Sequence, residues 1–402
     1  MFFSSNTDVI DNKIGVAADG SPLGNAGSGV FSTGSDGFLV SGNVLSNNGS
    51  GGMSIVSSNQ GQFLSNTVEN NTNAGVSVTN GSSDNLIADN NLANLPNRAF
   101  SIFHALFLAT EAIDPADPSN PNSAAASLGK QRAISFGAVD NNFSAVMNNT
   151  FLRNTVVNTG NSSGFLISGD PSAALDAEEA RLGGLGLCED VGGGYPDCCP
   201  TELQPNGACR LIHDDVRAAL ALAEDPSGNS FLESSNTDSD GIGIDLTANY
   251  NTKGPHPTLG VFFFEPAVDG VTANDTKDKD GGSNALQNFP TVNHAKLGSG
   301  ELTVHGHLMS EQDKTYRIDV YANPVGSAAP VEGQTFLGSF EVSTNHGGNT
   351  NFDVALAVGG GVAAGTLITT TATEILDDQP GSEDDDYGST SELSAAAAVT
   401  IH

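Results

Sequence analysis

The chain has 402 residues, with 47 acidic against 14 basic side chains and a formal net charge of −33 at pH 7. Nucleic acids and anionic membranes both need a basic surface, so neither is an expected partner. The 48 glycines, the absence of tryptophan and the lack of any run of about 20 apolar residues point to a turn-rich β protein without a membrane span. Such acidity suits calcium, a saline environment or plain solubility.

Residues 1–35 read as one stretched turn of chain ending at Gly29-Val30-Phe31. The start, Met1 to Ser5, lacks the basic region and apolar core of a secretory signal. Nothing ahead of Asp8 reads as a cap. Ile10, Ile14 and Val30 are therefore expected at an uncovered end, which implies either a longer parent protein or end-to-end self-association.

From Asp36 to Phe103 the sequence repeats itself. Gly52-Met53-Ser54-Ile55, Gly75-Val76-Ser77-Val78 and Ala99-Phe100-Ser101-Ile102 are offset by 23 and then 24 residues. Asn47-Asn48, Asn70-Asn71 and Asn94 recur in step, preceded by Leu45, Val68 and Leu92. A period of this size means stacked β-coils, since one coil cannot bury its apolar face alone. Met53/Ile55, Val76/Val78 and Phe100/Ile102 then point inward, and Ser54, Ser77 and Ser101 outward. Asparagine suits the corners, because it tolerates left-handed backbone angles and hydrogen-bonds locally.

The period breaks between about 104 and 130. His104 to Leu108 reads as the start of a short helix, and Asp114 to Ser127 as an exposed loop. Coils are expected again at Ala133-Ile134-Ser135-Phe136 and Gly164-Phe165-Leu166-Ile167, with Asn148-Asn149 and Asn154 at the corners. This makes at least seven coils across residues 8–246, marked by Val30, Met53, Val76, Phe100, Ile134, Phe165 and Ile242.

A second insertion spans about 170–228. Ala173 to Leu182 and Val216 to Glu224 read as helices, the second capped by Asp214-Asp215 and ended by Asp225-Pro226. Between them lie Cys188, Cys198, Cys199 and Cys209, in a segment too small for its own core. Two local disulfides in an oxidising, extracellular setting are expected. Adjacent cysteines seldom bond, so Cys188 and Cys209 should each take one of the central pair. Zinc is the alternative, without the paired spacing of zinc ribbons.

Residues 247–288 read as an acidic, Gly-rich linker and cap, with Val261-Phe262-Phe263-Phe264 placed over the C-terminal end of the coils. In it Asn274, Asp275, Asp278, Asp280 and Asn284 offer closely spaced oxygens of the kind calcium takes. The competing reading is a solvated linker. Residues 289–402 alternate with a two-residue period over about seven strands, which reads as an immunoglobulin-like or fibronectin-like sandwich. Asp377-Asp378 and Glu383 to Asp386 mark an exposed hairpin loop, and His305 and His307 share one side of a strand.

These repeats resemble those of right-handed parallel β-helix proteins, a superfamily that includes pectate lyases, polygalacturonases, tailspikes and bacterial surface proteins. The likeness is greatest to large secreted bacterial proteins. Their opening segment resembles Asn12 to Gly20 closed by Leu23-Gly24-Asn25. Their closing segment resembles Gly241 to Leu246, followed by Asp269 to Thr272 and Gln287 to Pro290. The resemblance implies an all-β chain in which a parallel β-helix (1–246, with both insertions) precedes an Ig-like module. Within it, Gly333 to Gly338 resembles a stretch of that module.

Lyases of this superfold use an Arg or Lys base near acidic calcium ligands. None of Lys13, Arg98, Lys130, Arg132, Arg153, Arg181, Arg210 or Arg217 lies in such a run. Asn236-Thr237-Asp238 matches one polygalacturonase motif and His213-Asp214-Asp215 echoes another, but in reversed order. His305-Gly306 and Arg317-Ile318 fall in the C-terminal module. All four read as coincidence. The expected function is an extracellular, non-enzymatic surface, adhesive or fibre-forming protein with a polysaccharide or cell-surface glycan as partner. The alternative is a polysaccharide lyase or glycoside hydrolase working in the β-helix groove.

Overall fold

The computed structural model describes residues 4–103, 106–112, 146–160, 163–169, 188–190, 196–198, 209–211, 225–238, 242–247, 250–253, 261–266, 268–328, 330–377 and 386–401. Three parallel sheets of six strands each form a coil stack. The first sheet stacks Asp8–Ile10, Leu39–Ser41, Gln62–Leu64, Leu86–Ala88, Thr150–Leu152 and Ser230–Leu232. The second stacks Lys13–Ile14, Val44–Ser46, Thr67–Glu69, Asn91–Leu95, Thr155–Thr159 and Ser235–Thr237. The third stacks Val30–Thr33, Met53–Val56, Val76–Thr79, Phe100–Phe103, Phe165–Ser168 and Ile244–Thr247.

The repeat register holds wherever it was read from neighbouring coils: Met53 pairs with Val76, and Val76 with Phe100. It fails at Ile134. Phe100 pairs directly with Phe165, and the Phe100 N–H donates to the Gly164 carbonyl at 3.0 Å, so no coil fits between them. Among the described residues the stack has six coils rather than seven, and the first insertion is longer than its composition suggested. Ile134 itself, the loop from 114 to 127 and both helices of the second insertion lie outside the described residues. The helix expected after His104 is replaced by a strand, Leu106–Ala112.

Inward columns fill the stack. Val40, Phe63, Ile87, Phe151 and Phe231 line the first sheet, and Leu45, Val68, Leu92 and Val156 the second, all essentially buried. Larger rings enter as the coils proceed: Phe100 stacks on Phe165 and Phe151 on Phe231, both at 4.7 Å between centroids. Each such side chain contributes about 1.5–3 kcal/mol by leaving water, and only the neighbouring coils make that burial possible.

The corner asparagines divide two tasks between adjacent residues. Asn47, Asn70 and Asn94 take the left-handed backbone conformation, with φ of 58°, 54° and 52°. The residue after that position points inward and bonds from coil to coil. Asn43, Asn66, Asn90 and Asn154 form one such ladder, each side chain accepting from the backbone N–H of the coil before it at 2.8–3.1 Å. Asn25, Asn48 and Asn71 form a second, and Asn85, Asn149 and Asn229 a third. These buried amides satisfy corner N–H groups that no strand reaches.

The C-terminal residues form one eight-stranded mixed sheet. Its two halves meet face to face, with Val292, Leu302, Val304 and Phe352 packed against Val320, Ile368, Leu337 and Phe340. Thr291–Gly298 runs parallel to Ala397–Ile401, and every other ladder in the sheet is antiparallel. Leu367–Asp377 and Asp386–Thr390 pair antiparallel, and residues 378–385 between them, with most of the acidic run, lie outside the described residues.

This unit covers the last coil. N–H groups of that coil which would meet a seventh coil donate instead to Ser389 Oγ (Gly228, 2.9 Å), Thr390 Oγ1 (Phe231, 2.9 Å), Asp319 Oδ2 (Glu233, 2.8 Å) and Glu392 Oε1 (Leu246, 2.9 Å). The Asn236 N–H donates to the Gly333 carbonyl at 3.2 Å. Arg317 bridges Glu233 and Asp319, both at 2.7 Å. Gly243 lets the two parts touch, since a Cβ there would sit 2.5 Å from Leu393 and 2.6 Å from the Glu332 carbonyl. The backbone of Val261–Phe264, expected over this end, pairs antiparallel with Leu106–Ala109.

The division of labour at the corners is testable by urea denaturation. Asn66→Ala removes the acceptor for the Asn43 N–H and two donor bonds, to Val40 and Asn90. It should cost at least about 2 kcal/mol, the penalty of buried polar groups left unpaired. Asn70→Gly, one residue before a ladder position, keeps the left-handed backbone and should cost almost nothing. Equal losses at both sites would contradict the assignment.

Candidate functional site

Residues 268–290 run from the end of the coil stack into the C-terminal sheet, and carry the acidic cluster. Single carboxylate oxygens of Asp275, Asp278 and Asp280 lie within 4.8 Å of one another. Asp278 is already well bonded. Its Oδ1 accepts from the Asn288 N–H at 3.0 Å, and its Oδ2 from Gln287 Nε2 at 2.6 Å and from the Ser310 hydroxyl. Burial raises its pKa to about 6, against the opposing hydrogen bonds, with Asp280 and Asp275 adding to the rise. Asp280 is also raised, by partial burial and then by Asp275. Asp275 accepts from the Lys279 N–H at 3.1 and 3.2 Å. The loop is thus ordered by its own hydrogen bonds, and a calcium ion there would lean on Asp275 and Asp280.

Asn284 is not with these carboxylates. It is fully buried at the end of the third ladder, where its Oδ1 accepts from the Asn229 N–H at 2.9 Å. Its Nδ2 donates to the carbonyls of Asn229 and Thr390 at 2.9 and 2.8 Å. The linker therefore supplies the next rung beyond the last coil. Unlike the ladder asparagines of the coils, Asn284 takes the left-handed conformation itself, with φ of 53°. Both side-chain functions are occupied, which removes Asn284 from the candidate metal ligands.

A second acidic group went unread in the sequence. Asp245 and Glu392 are buried at the junction, with Asp269 beside them. Asp245 occupies the outward column of the third sheet, beyond Ser101 and Leu166, where alternation alone places it in water. It is covered by chain far away in sequence, so no local signal marks it. Its carboxylate lies against Asp269 and the backbone of Asp269 and Gly270. Glu392 accepts from Leu246 N–H at 2.9 Å and Thr272 N–H at 2.6 Å, tying the coil end, the linker and the C-terminal sheet together. Burial, reinforced by neighbouring carboxylates, raises both pKa values to about 8.

A carboxyl titrates near 4 in the unfolded chain, so the folded state holds extra protons between about pH 4 and 8. The stability that protonation provides is complete below that window and is lost as pH rises through it. Urea midpoints from pH 5 to pH 9 should fall in the unaltered protein and fall less in Asp245→Asn, which gains relative stability at pH 9. Parallel profiles for the two proteins would contradict this.

Among the described residues, those with catalytic counterparts elsewhere do not converge. Asn236 is buried in the inward column of the second sheet, opposite Val156. Arg153 pairs with Asp89 at 2.8 Å on an exposed corner, while Arg98 is buried. Arg317 belongs to the junction. Lys130, Arg132, Arg181, Arg217 and His213 to Asp215 lie outside the described residues.

The four cysteines are only partly placed. Cys188–Asp190 and Pro196–Cys198 form a two-stranded antiparallel ladder with Cys188 opposite Cys198, and Cys209 pairs with Ala112. Cys199 and the cysteine side chains lie outside the described residues.

Three stacked parallel sheets now stand beside the comparisons. A family model described as "Right handed beta helix region" matches residues 2–107. The coil stack is a right-handed parallel β-helix. A search of curated proteins gives no match. Among solved structures, the enzymatically active domain of tailspike protein 2 from bacteriophage CBA120 is similar at 10% identity and a TM-score of 0.20, over 97% of this chain and 54% of that one. Full-length tailspike protein 2 from the Escherichia coli O157:H7 bacteriophage CAB120 is similar at 10% identity and 0.21, over 97% and 49%. The chain spans about half the length of these tailspikes. Among the described residues no helix of the β-helix protein is long and apolar enough to cross a membrane.

Proposed function

We propose that this protein is an extracellular, non-enzymatic surface or adhesive module in which the β-helix is a rigid support that presents a polar face to glycans. The observation that carries the reading is the outward column of the third sheet. Ser54 and Ser77 stand one above the other in it with hydroxyls 3.2 Å apart, and Ser28, just ahead of the first strand, lies 2.8 Å from Ser54. Exposed corner amides repeat in the same way, Asn97 to Asn73 at 3.1 Å and Asn158 to Asn94 at 2.8 Å. Hydroxyls and amides at a fixed spacing of about 4.8 Å offer donors and acceptors in series, which suits a polyhydroxylated polymer. The strong negative charge selects neutral glycans, or acidic ones only with a bridging cation.

Further expectations complete the reading. The C-terminal unit is taken as an immunoglobulin-like module, and the cysteines as two disulfides formed after export. Calcium at Asp275, Asp278 and Asp280 would offset the carboxylate repulsion that adds to the burial-driven rise of Asp278 and would stiffen the linker.

The test is a glycan array run in calcium and in chelator, paired with assays for unsaturated and reducing-end products. Binding without product release is expected, with a calcium-dependent rise in melting temperature that Asp278→Ala/Asp280→Ala abolishes. Depolymerisation of any bound glycan would replace this reading with a lyase or hydrolase. Unchanged melting in calcium would leave the acidic linker as a solvated loop.

A further inference from the structure

The seam between the coil stack and the C-terminal unit is joined by polar groups more than by a shared core. Among the described residues, the apolar cluster of the coils takes in Leu286 of the linker and stops there. The clusters of the C-terminal sheet hold no coil residue. Where the two parts meet, Phe165, Phe231 and Ile244 face Tyr321 and Leu393 across a small cavity. The last coil's hydrogen bonds span this seam, and a group of carboxylates is set among them.

Three elements bring that group together. Asp245 comes from Ile244–Thr247, Asp269 from the linker, and Glu392 from the chain just after Asp386–Thr390. Asp245 and Glu392 are 0% and 1% exposed, while Asp269 stands at the exposed rim, where water can deliver or remove a proton. The Asp245 carboxylate lies against Asp269, and the charges that bear on Glu392 are those of Asp245 and Asp269. Glu332, whose carbonyl meets Gly243, brings a further acid to the seam. Arg317, a cation of the seam, is engaged by Glu233, Asp319 and the Tyr387 ring. Carboxyls gathered in this way repel one another once ionised. Around Gly270, with φ of 94°, a Cβ would meet nothing within 4 Å, so the Asp269 segment has room to withdraw.

In the closed seam Asp245 and Glu392 titrate near 8, against about 4 for a carboxyl in water. Closure therefore takes up protons. It is strongest at acid pH and is lost as pH climbs through that window, about tenfold per pH unit for each proton held.

We propose that Asp245, Asp269 and Glu392 form a proton-held latch, which frees the end of the coil stack from the C-terminal unit in alkaline solution while both cores stay folded.

Urea midpoints report the whole molecule, whereas the latch concerns one seam and is independent of the glycan reading. The test is hydrogen–deuterium exchange of the full chain at pH 6 and pH 9, corrected for the intrinsic pH dependence of exchange. Protection of peptides 228–236 and 244–247 should fall by about tenfold or more at pH 9, and return at pH 6. Interior coil peptides, 40–46 and 76–79, should keep theirs. In Asp245→Asn/Glu392→Gln, whose amides copy the protonated acids, the fall should vanish. Interior protection in the same runs shows whether that variant is folded. Asp269→Asn, a change at the exposed rim, is the second variant and should shrink the fall. Unchanged protection of the last coil at pH 9 would overturn the proposal. Equal loss in the interior coils would mean global unfolding, and an undiminished fall in both variants would mean that other groups titrate. Either result would overturn it as well.

Discussion

A stack of parallel coils has no natural end. Each coil offers N–H and carbonyl groups to the next, and the last one holds out a row of them together with an open apolar section. The covering of that row is the constraint on which the rest of this molecule depends. Five N–H groups of the final coil, at Gly228, Phe231, Glu233, Asn236 and Leu246, find acceptors in the C-terminal unit. The sixth, at Asn229, finds Asn284 of the linker. An unpaired buried donor costs about 1–3 kcal/mol, so six together would exceed much of a domain's net stability. The C-terminal unit is therefore part of the fold of the β-helix as well as its neighbour.

That role explains charges that would otherwise be costly. Asp319 is almost fully buried, and burial drives its pKa up. Arg317 opposes that rise while holding Glu233 of the last coil. Glu392 is placed so that one oxygen serves the coil and the other the linker. Directional groups of this kind define a single docking angle, which apolar contact alone leaves loose.

The coil register was legible because it is local. Met53, Val76 and Phe100 recur at one period, and the same period brings the ladder asparagines. The register failed where it relied on a look-alike, Ala133 to Phe136, which has the apolar alternation of a coil strand and no place in the ladder order. Period-two alternation cannot tell a coil strand from any other short strand. Val261–Phe264 shows a similar limit, since apolar character says that a segment is covered and not by what; its backbone partner is Leu106–Ala109. Asn284 looked like a calcium ligand because it follows acidic residues. Its real partner, Asn229, lies 55 residues away in sequence. Asp245 and Glu392 were unreadable, because the chain that covers them is remote from both.

Hydrogen–deuterium exchange followed by mass spectrometry addresses the covered end most directly. Peptides spanning 228–236 and 244–247 should be as protected as the interior coil peptides around Val40 to Ser46 and Val76 to Thr79. Their protection should drop selectively in Glu392→Ala and Asp319→Ala, while the interior coils stay unchanged. Rapid exchange of the last coil in the unaltered protein, beside slow exchange in the interior coils, would mean that its end is open, and would contradict the role given to the C-terminal unit.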